Sequence, residues 1–382
     1  MTLNDTPNAQ RVHIGIFGRR NSGKSSLVNA LCGQNVSIVS DVLGTTTDPV
    51  SKAMELLPLG AVVFFDTPGL DDEGELGTER IRRSRDVLRK CDIAIIVCDA
   101  SAGMGEIENE LEHECKKRGI PSITVLNKCD INKSDGLCVS AKTGEGIEAL
   151  KKRIAAIQIG QARALLDGII KCGDNVILVT PIDSSAPKGR LILPQQQAIR
   201  EILDCGATAI VVQENALPGA LKMCTPSIVI TDSQVFESVA EEVPANVKLT
   251  SFSILFARKR GILGASMEGA KALDKLADGD IILISEGCTH HRQCEDIGTV
   301  KLPAWIRRRC GKNISFEYTS GAQFPEALNK YRLIIHCGGC MLNLREMHFR
   351  FSSAAAQNVP ITNYGVAIAH LKGIAERALQ AL

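Results

Sequence analysis

Three α/β domains with mainly parallel sheets are the architecture that this sequence predicts, and three observations carry that expectation. Val- and Ile-rich runs such as Ala94-Ile95-Ile96-Val97 and Ile123-Thr124-Val125-Leu126 alternate with amphipathic stretches, the pattern of βα units around a parallel sheet. A glycine-rich run from Gly18 to Ser25 follows the apolar Ile14-Gly15-Ile16-Phe17 and precedes the helix-like Ser26-Leu27-Val28-Asn29-Ala30-Leu31. The alternation then restarts twice, after the polar Gly160-Gln161-Ala162-Arg163 and again near Gly261. With 382 residues, each domain has enough chain to bury its own core, and the expected boundaries are 1–160, 161–260 and 261–382.

In the first series, Gly18-Arg19-Arg20-Asn21-Ser22-Gly23-Lys24-Ser25 reads as a P-loop. Its backbone N–H groups, together with the helix N-terminus that carries Ser26, suit phosphate oxygens. Lys24 supplies a point charge for the β- and γ-phosphates, and Ser25 a hydroxyl for Mg²⁺. Thr45-Thr46-Thr47 offers a further Mg²⁺ ligand, with Thr46 the choice. Asp66 of Asp66-Thr67-Pro68-Gly69 suits a carboxylate near Mg²⁺, and the Gly69 N–H can sense the γ-phosphate. Asn127-Lys128-Cys129-Asp130 and Ser140-Ala141-Lys142 complete the set. Asp130 can accept from the N1–H and amine of guanine together, a donor pair that adenine lacks, so GTP and GDP are the expected nucleotides. A Gly-Lys-Ser string can be an ordinary turn, but five motifs in register predict a P-loop GTPase fold.

Two details refine the expected chemistry. Leu70 stands where Ras-like proteins place a water-orienting glutamine, so intrinsic hydrolysis should be slow. The loop resembles that of the TrmE-Era group of GTPases, including Asn21, and that resemblance implies K⁺ held by Asn21 against the phosphates; otherwise Asn21 merely caps the loop.

The second series predicts strand Val176–Thr180, helix Gln195–Leu203, strands Ala209–Gln213 and Ser227–Thr231, helix Ser233–Val239 and strand Lys248–Phe252, with turns marked by Pro181, Pro194, Pro218 and Pro244. No catalytic cluster stands out, and a packing or dimerisation domain is expected.

The third series predicts helix Met267–Leu276, strand Ile281–Ser285, helix Ile297–Arg309, strands Ile314–Tyr318 and Leu333–His336, helix Leu342–Ala355, strand Ile361–Tyr364 and helix Ile368–Leu382. Cys288-Thr289-His290 and His336-Cys337-Gly338-Gly339-Cys340 both fall just past carboxyl ends of expected strands, the edge where open α/β sheets bind ligands. Soft thiolates suit an iron–sulfur cluster or zinc, and spacing alone does not choose between them. A redox dithiol and incidental free thiols are the remaining readings. Cys294 and Cys310 are spare thiols beside or within expected helices.

Lys and Arg at 44 against Asp and Glu at 43 leave a net charge of +1, and aromatics are 4%, so no basic stacking surface for nucleic acid is expected. Fourteen cysteines without a secretory signal point to a reducing, cytoplasmic setting, where most act as small buried hydrophobes. No apolar run approaches the ~18 residues of a membrane span.

The C-T-H and H-C-G-G-C motifs, on a chain that begins with this kind of GTPase domain, resemble the [FeFe]-hydrogenase maturation GTPases over the whole chain in domain order. The resemblance implies a [4Fe-4S] cluster on Cys288, Cys337 and Cys340, with an exchangeable fourth position and His290 and His336 as accessory candidates. It further implies a homodimer formed through the middle domain and a scaffold carrying a transient diiron cluster precursor. Its implied partners are two radical-SAM hydrogenase maturases and apo-[FeFe]-hydrogenase. The competing reading is a TrmE-Era-like GTPase acting on RNA with a structural zinc site.

Overall fold

A computed structural model describes residues 8–33, 51–70, 84–133, 135–159, 163–181, 191–287, 297–321 and 323–382. Thr45, Thr46, Thr47, Cys288, His290 and Cys294 lie outside the described residues. The chain divides into two compact units, 1–160 and 161–382. Both are α/β, and among the described residues every strand pairing but one is parallel.

The first unit has strands β1 (Val12–Phe17), β2 (Ser51–Leu56), β3 (Gly60–Asp66), β4 (Ile93–Asp99) and β5 (Ser122–Asn127) in the order β2-β3-β1-β4-β5. Only the edge pair β2–β3 is antiparallel. The middle strands are apolar along their length because helices cover both faces; β4 is buried from Ile93 to Cys98. The helix Lys24–Cys32 follows β1 and packs Leu27, Val28 and Leu31 into the core. The functional motifs therefore leave the sheet at the carboxyl ends of β1, β3 and β5.

The second unit holds two all-parallel sheets. One contains β6 (Asn175–Val179), β7 (Thr208–Val212), β8 (Ile228–Thr231) and β9 (Lys248–Ser251), in the order β7-β6-β8-β9. The other contains β10 (Ile281–Glu286), β11 (Ser315–Ser320), β12 (Leu333–His336) and β13 (Ile361–Asn363), in the order β11-β10-β12-β13. The topologies are identical, and so are small details. Asp174 Oδ2 accepts from Lys171 N–H at 2.8 Å, and Asp280 Oδ2 accepts from Ala277 N–H at 2.8 Å. Gly173 N–H donates to Gly206 O at 3.1 Å, and Gly279 N–H to Asn313 O at 3.0 Å. Thr250-Ser251-Phe252 and Gly261-Ile262 recur at the same spacing as Thr362-Asn363-Tyr364 and Gly373-Ile374. The second unit is one βα arrangement present twice.

The two copies exchange their last helices. Helix Leu263–Ala270 follows the first sheet but lies on β13 of the second. Helix Ala375–Gln380 follows the second sheet but lies on β9 of the first, where Ala378 joins a core with Leu249 and Ile254. Arg377 fixes that helix by donating to Ala240 O at 2.8 Å and Val243 O at 2.7 Å. Between them, helices Phe252–Lys259 and Tyr364–Leu371 pack together, with the equivalent positions Ser253 and Gly365 in contact.

Differences from the sequence expectation have local causes. The apolar run after β9 reads as strand through Phe252, yet the Ser251 hydroxyl accepts from Ile254 N–H at 3.4 Å and a helix starts there. Asn363 does the same for Val366 at 2.8 Å, so helix Tyr364–Leu371 begins earlier than expected. Gly373, at φ 72°, then breaks what the pattern joined into one helix to Leu382. Helix Leu217–Met223 was not expected. Among the described residues, no helix is long and apolar enough to cross a membrane.

Candidate functional site

The first site lies at the carboxyl edge of the β2–β5 sheet. β1 delivers the P-loop, in which Asn21 has a left-handed φ of 60° and an exposed side chain. Lys24 Nζ donates to Gly18 O at 3.1 Å and Arg19 O at 2.7 Å, which holds the ammonium over the loop where phosphate charge would sit. The Leu70 N–H donates to Gly18 O at 3.4 Å, which draws the segment after Asp66 and Gly69 against the P-loop. Ser25 Oγ donates to Asp66 Oδ2. Asp66 Oδ1 is buried and, among the described residues, has no hydrogen-bond partner. A hydroxyl and an orphaned carboxylate oxygen side by side fit a Mg²⁺ ion and its water shell.

β5 delivers the base-recognition residues. Asn127 ties three motifs together, donating through Nδ2 to Ser22 O at 2.9 Å and accepting at Oδ1 from Ala141 N–H at 3.1 Å. Ser140 Oγ donates to Asp130 Oδ1 at 2.7 Å, aiming a carboxylate that is otherwise exposed. Ser26 and Lys142 line an adjoining groove of about 540 Å³. Asp99, at the end of β4, was not singled out from sequence, although it closes a strand at this same edge. Its Oδ2 holds Lys128 Nζ at 2.7 Å. The hydrogen bond from Lys128, followed by those from Ser101, lowers the Asp99 pKa to about 2. Cys129 is pushed up to about 11, first by burial and then by Cys138, so it is an inert structural thiol.

The second site lies at the carboxyl edge of the β10–β13 sheet. β12 ends at His336 and passes directly into Cys337. Cys337 Sγ accepts from Gly287 N–H at 3.0 Å and from Gly339 N–H at 3.3 Å. Gly287 is the last described residue before Cys288, so the end of β10 meets the Cys337 sulfur. Cys340 is half-buried; burial and then Cys337 push its thiol up, while Arg260 pulls it down. Gly339 has a φ of 62°, and a Cβ there would lie 2.6 Å from Met347 Sδ and 2.8 Å from Arg260 Nη1, so only glycine fits. Two thiols, one of them with two N–H donors on its sulfur, fit a thiolate-ligated iron–sulfur group or zinc. Among the described residues, no three His, Cys, Asp or Glu side chains gather as a metal site. His336 is buried with both ring nitrogens engaged: Nδ1 lies 2.7 Å from Cys337 O and Nε2 lies 3.0 Å from Arg350 Nη1. Its ring therefore serves the core in this structure rather than facing the thiols.

Comparison with known proteins follows the same division. Residues 13–128 match the 50S ribosome-binding GTPase family. Residues 165–261 match the Hydrogen maturase F dimerization domain and residues 264–381 the Hydrogen maturase F tetramerization domain, together more than half of the chain. The chain belongs to the hydrogen maturase F (HydF) family. Its first unit accordingly carries the GTPase domain, and its second unit the two domains that the family names for dimerization and tetramerization. The chain is also similar to GTPase Der of Wolinella succinogenes, 34% identical over 181 residues, which covers 42% of this chain and 38% of that protein. The tRNA modification GTPase MnmE of Xanthomonas campestris pv. campestris is 34% identical over 167 residues, or 41% of this chain and 36% of that protein. The chain thus spans well under half the length of these curated relatives. Among solved structures, the G domain of the T. maritima FeoB iron transporter is similar at 24% identity with a TM-score of 0.30, covering 38% of this chain and 97% of that one.

Proposed function

We propose that this chain is a GTP-hydrolysing iron–sulfur scaffold and carrier, which assembles the diiron subcluster precursor and delivers it to apo-[FeFe]-hydrogenase. Residues 1–160 are the GTPase domain, 161–260 the dimerisation domain and 261–382 the cluster-binding domain. The observation that carries the reading is the 3.0 Å contact from Gly287 N–H to Cys337 Sγ, which brings the chain leading into Cys288 against the Cys337–Cys340 loop. Cys288, Cys337 and Cys340 would hold a [4Fe-4S] cluster. When bound, it supplies one iron with a replaceable ligand, the property that a carrier of metal fragments needs. His290 remains a candidate accessory ligand.

The GTPase residues act through charge and position. Lys24 balances phosphate charge, Ser25, Thr46 and Asp66 would hold Mg²⁺, Gly69 senses the γ-phosphate, and Asp130 selects guanine. Asn21, exposed on its left-handed turn, would place K⁺ beside the phosphates. With Leu70 in place of a water-orienting side chain, turnover without K⁺ is slow. Nucleotide state then governs docking of the two radical-SAM maturases and the apo-hydrogenase. The edge strand β7, with Val211 exposed, supports dimerisation through the middle domain.

Anaerobic reconstitution of the full chain with ferrous iron and sulfide tests this. The reading expects about four irons and four sulfides per chain, loss of both in Cys337→Ser with GTP hydrolysis retained, and faster hydrolysis in KCl than in NaCl. A colourless chain holding zinc instead would favour an RNA-directed GTPase with a structural metal.

A further inference from the structure

The loop from Gly338 to Leu342 sorts its peptide groups by direction. Its carbonyls face Arg260, whose Nη1 donates to Gly338 O at 2.6 Å and whose Nη2 donates to Gly339 O at 2.8 Å and Leu342 O at 3.3 Å. Of its N–H groups, that of Gly339 lies on Cys337 Sγ at 3.3 Å, while that of Leu342 closes a turn on Gly339 O at 2.9 Å. Arg260 does not belong to the copy that carries the thiols. It ends the helix that follows β9, in the first copy, and reaches across to the second. Phe256, one turn earlier on that helix, lies 5.6 Å beneath the guanidinium. Its counterpart Lys372 reaches the other way to Glu237, so the crossing contact is built into the duplicated arrangement.

We propose that Arg260 is the positioning residue of the metal-binding loop, a cation lent by the first copy that holds the loop carbonyls back and leaves the thiols and the Gly339 N–H to a bound cluster. This rests on the scaffold reading above. A planar fork with several fixed donors can grip three carbonyls at once, which an ammonium cannot. Its positive charge beside a thiolate-ligated cluster favours the reduced, more negative state, so it also raises the reduction potential. No other described side chain donates to these three carbonyls.

The test uses the full chain loaded anaerobically with ferrous iron and sulfide, comparing wild type with Arg260→Met and Arg260→Lys. Two quantities are read: the rate of iron loss to a chelator, and the midpoint potential of the cluster followed by electron paramagnetic resonance. Arg260→Met should release iron roughly 10–100-fold faster, the usual effect of removing an outer partner of a metal ligand, and its midpoint should fall. Arg260→Lys should keep a near-wild-type midpoint yet still release iron faster, which separates charge from positioning. Wild-type values of both quantities in Arg260→Met overturn the role. If that variant fails to fold, judged by circular dichroism and GTP hydrolysis, wild-type iron release in Arg260→Lys overturns it instead. A wild-type chain that takes up no iron and sulfide fails the scaffold reading; equal zinc-ion release from wild type and Arg260→Met would then overturn the role of Arg260 as well.

Discussion

Arg350 Nη1 lies 3.0 Å from His336 Nε2, and both side chains are fully buried. Arg350 also donates through Nε to Glu346 Oε1 at 2.9 Å and through Nη2 to Gly321 O at 2.8 Å, with the Phe324 ring 5.2 Å from the guanidinium. Facing a guanidinium donor, His336 Nε2 accepts and Nδ1–H donates to Cys337 O, a tautomer assigned from the network. The ring thereby fixes the peptide that carries the first thiol of the loop. Arg350→Met would leave Glu346 buried without its partner, at a cost of about 3–5 kcal/mol. Denaturant unfolding of the full chain, followed in the second unit, measures it; an unmoved midpoint would contradict the network's importance.

Gly269 tests the helix exchange. A Cβ at this position would lie 2.0 Å from the Ile361 backbone oxygen, so helix Leu263–Ala270 can approach β13 only without a side chain there. Gly269→Ala should destabilise the second unit by about 1–3 kcal/mol. The expected readout is a lower Tm with nucleotide affinity unchanged. A Tm equal to that of wild type would mean that the helix does not press on β13 in solution.

Asp130→Asn reverses a hydrogen-bond direction at the base. Loss of one charged hydrogen bond should weaken GTP binding by roughly tenfold to a hundredfold or more, with preference passing to xanthosine triphosphate. Competition against a fluorescent GDP analogue reads both affinities. Unchanged GTP affinity would remove Asp130 from the site.

Asp99 gives the first unit an acid limb. A carboxylate held near a pKa of about 2, against about 3.9 in an unfolded chain, contributes stability that is complete above the higher value and is lost as pH falls through the lower one. Lys128→Met removes the main cause of the lowering. The variant should be less stable at neutral pH, and its stability should change less between about pH 4 and pH 2. Parallel stability curves for variant and wild type over that window would dismiss the Lys128–Asp99 pair as a contributor.

The parts legible in the sequence are those whose signal is local. Apolar runs of the right length placed β8 and β12 almost to the residue, and four of the five GTPase motifs named residues that Asn127 and the P-loop bring together, the Thr45–Thr47 motif lying outside the described residues. C-T-H and H-C-G-G-C, read with those motifs, pointed to the family. What stayed hidden depends on partners distant in sequence. Arg258-Lys259-Arg260 reads as a solvated basic helix end, and nothing nearby reveals that its last member grips a loop 78 residues onward. Arg350 looks like an ordinary surface cation until Glu346, Ser285 and His336 enclose it. The duplication is faint because the matching positions keep shape more than identity, as Ser251 and Asn363 both cap a helix with different side chains.

The crossed terminal helices mean that the second unit cannot be taken apart at the Gly261 turn. Severing the chain there would leave helix Leu263–Ala270 on β13 but strip helix Ala375–Gln380 from β9, so that one fragment bares the flank of its sheet and the other a helix without its seat, and each would tend to clump until it met its mate. Grafting either portion onto a foreign protein should fail for the same reason, whereas mixing both fragments should restore a single melting event.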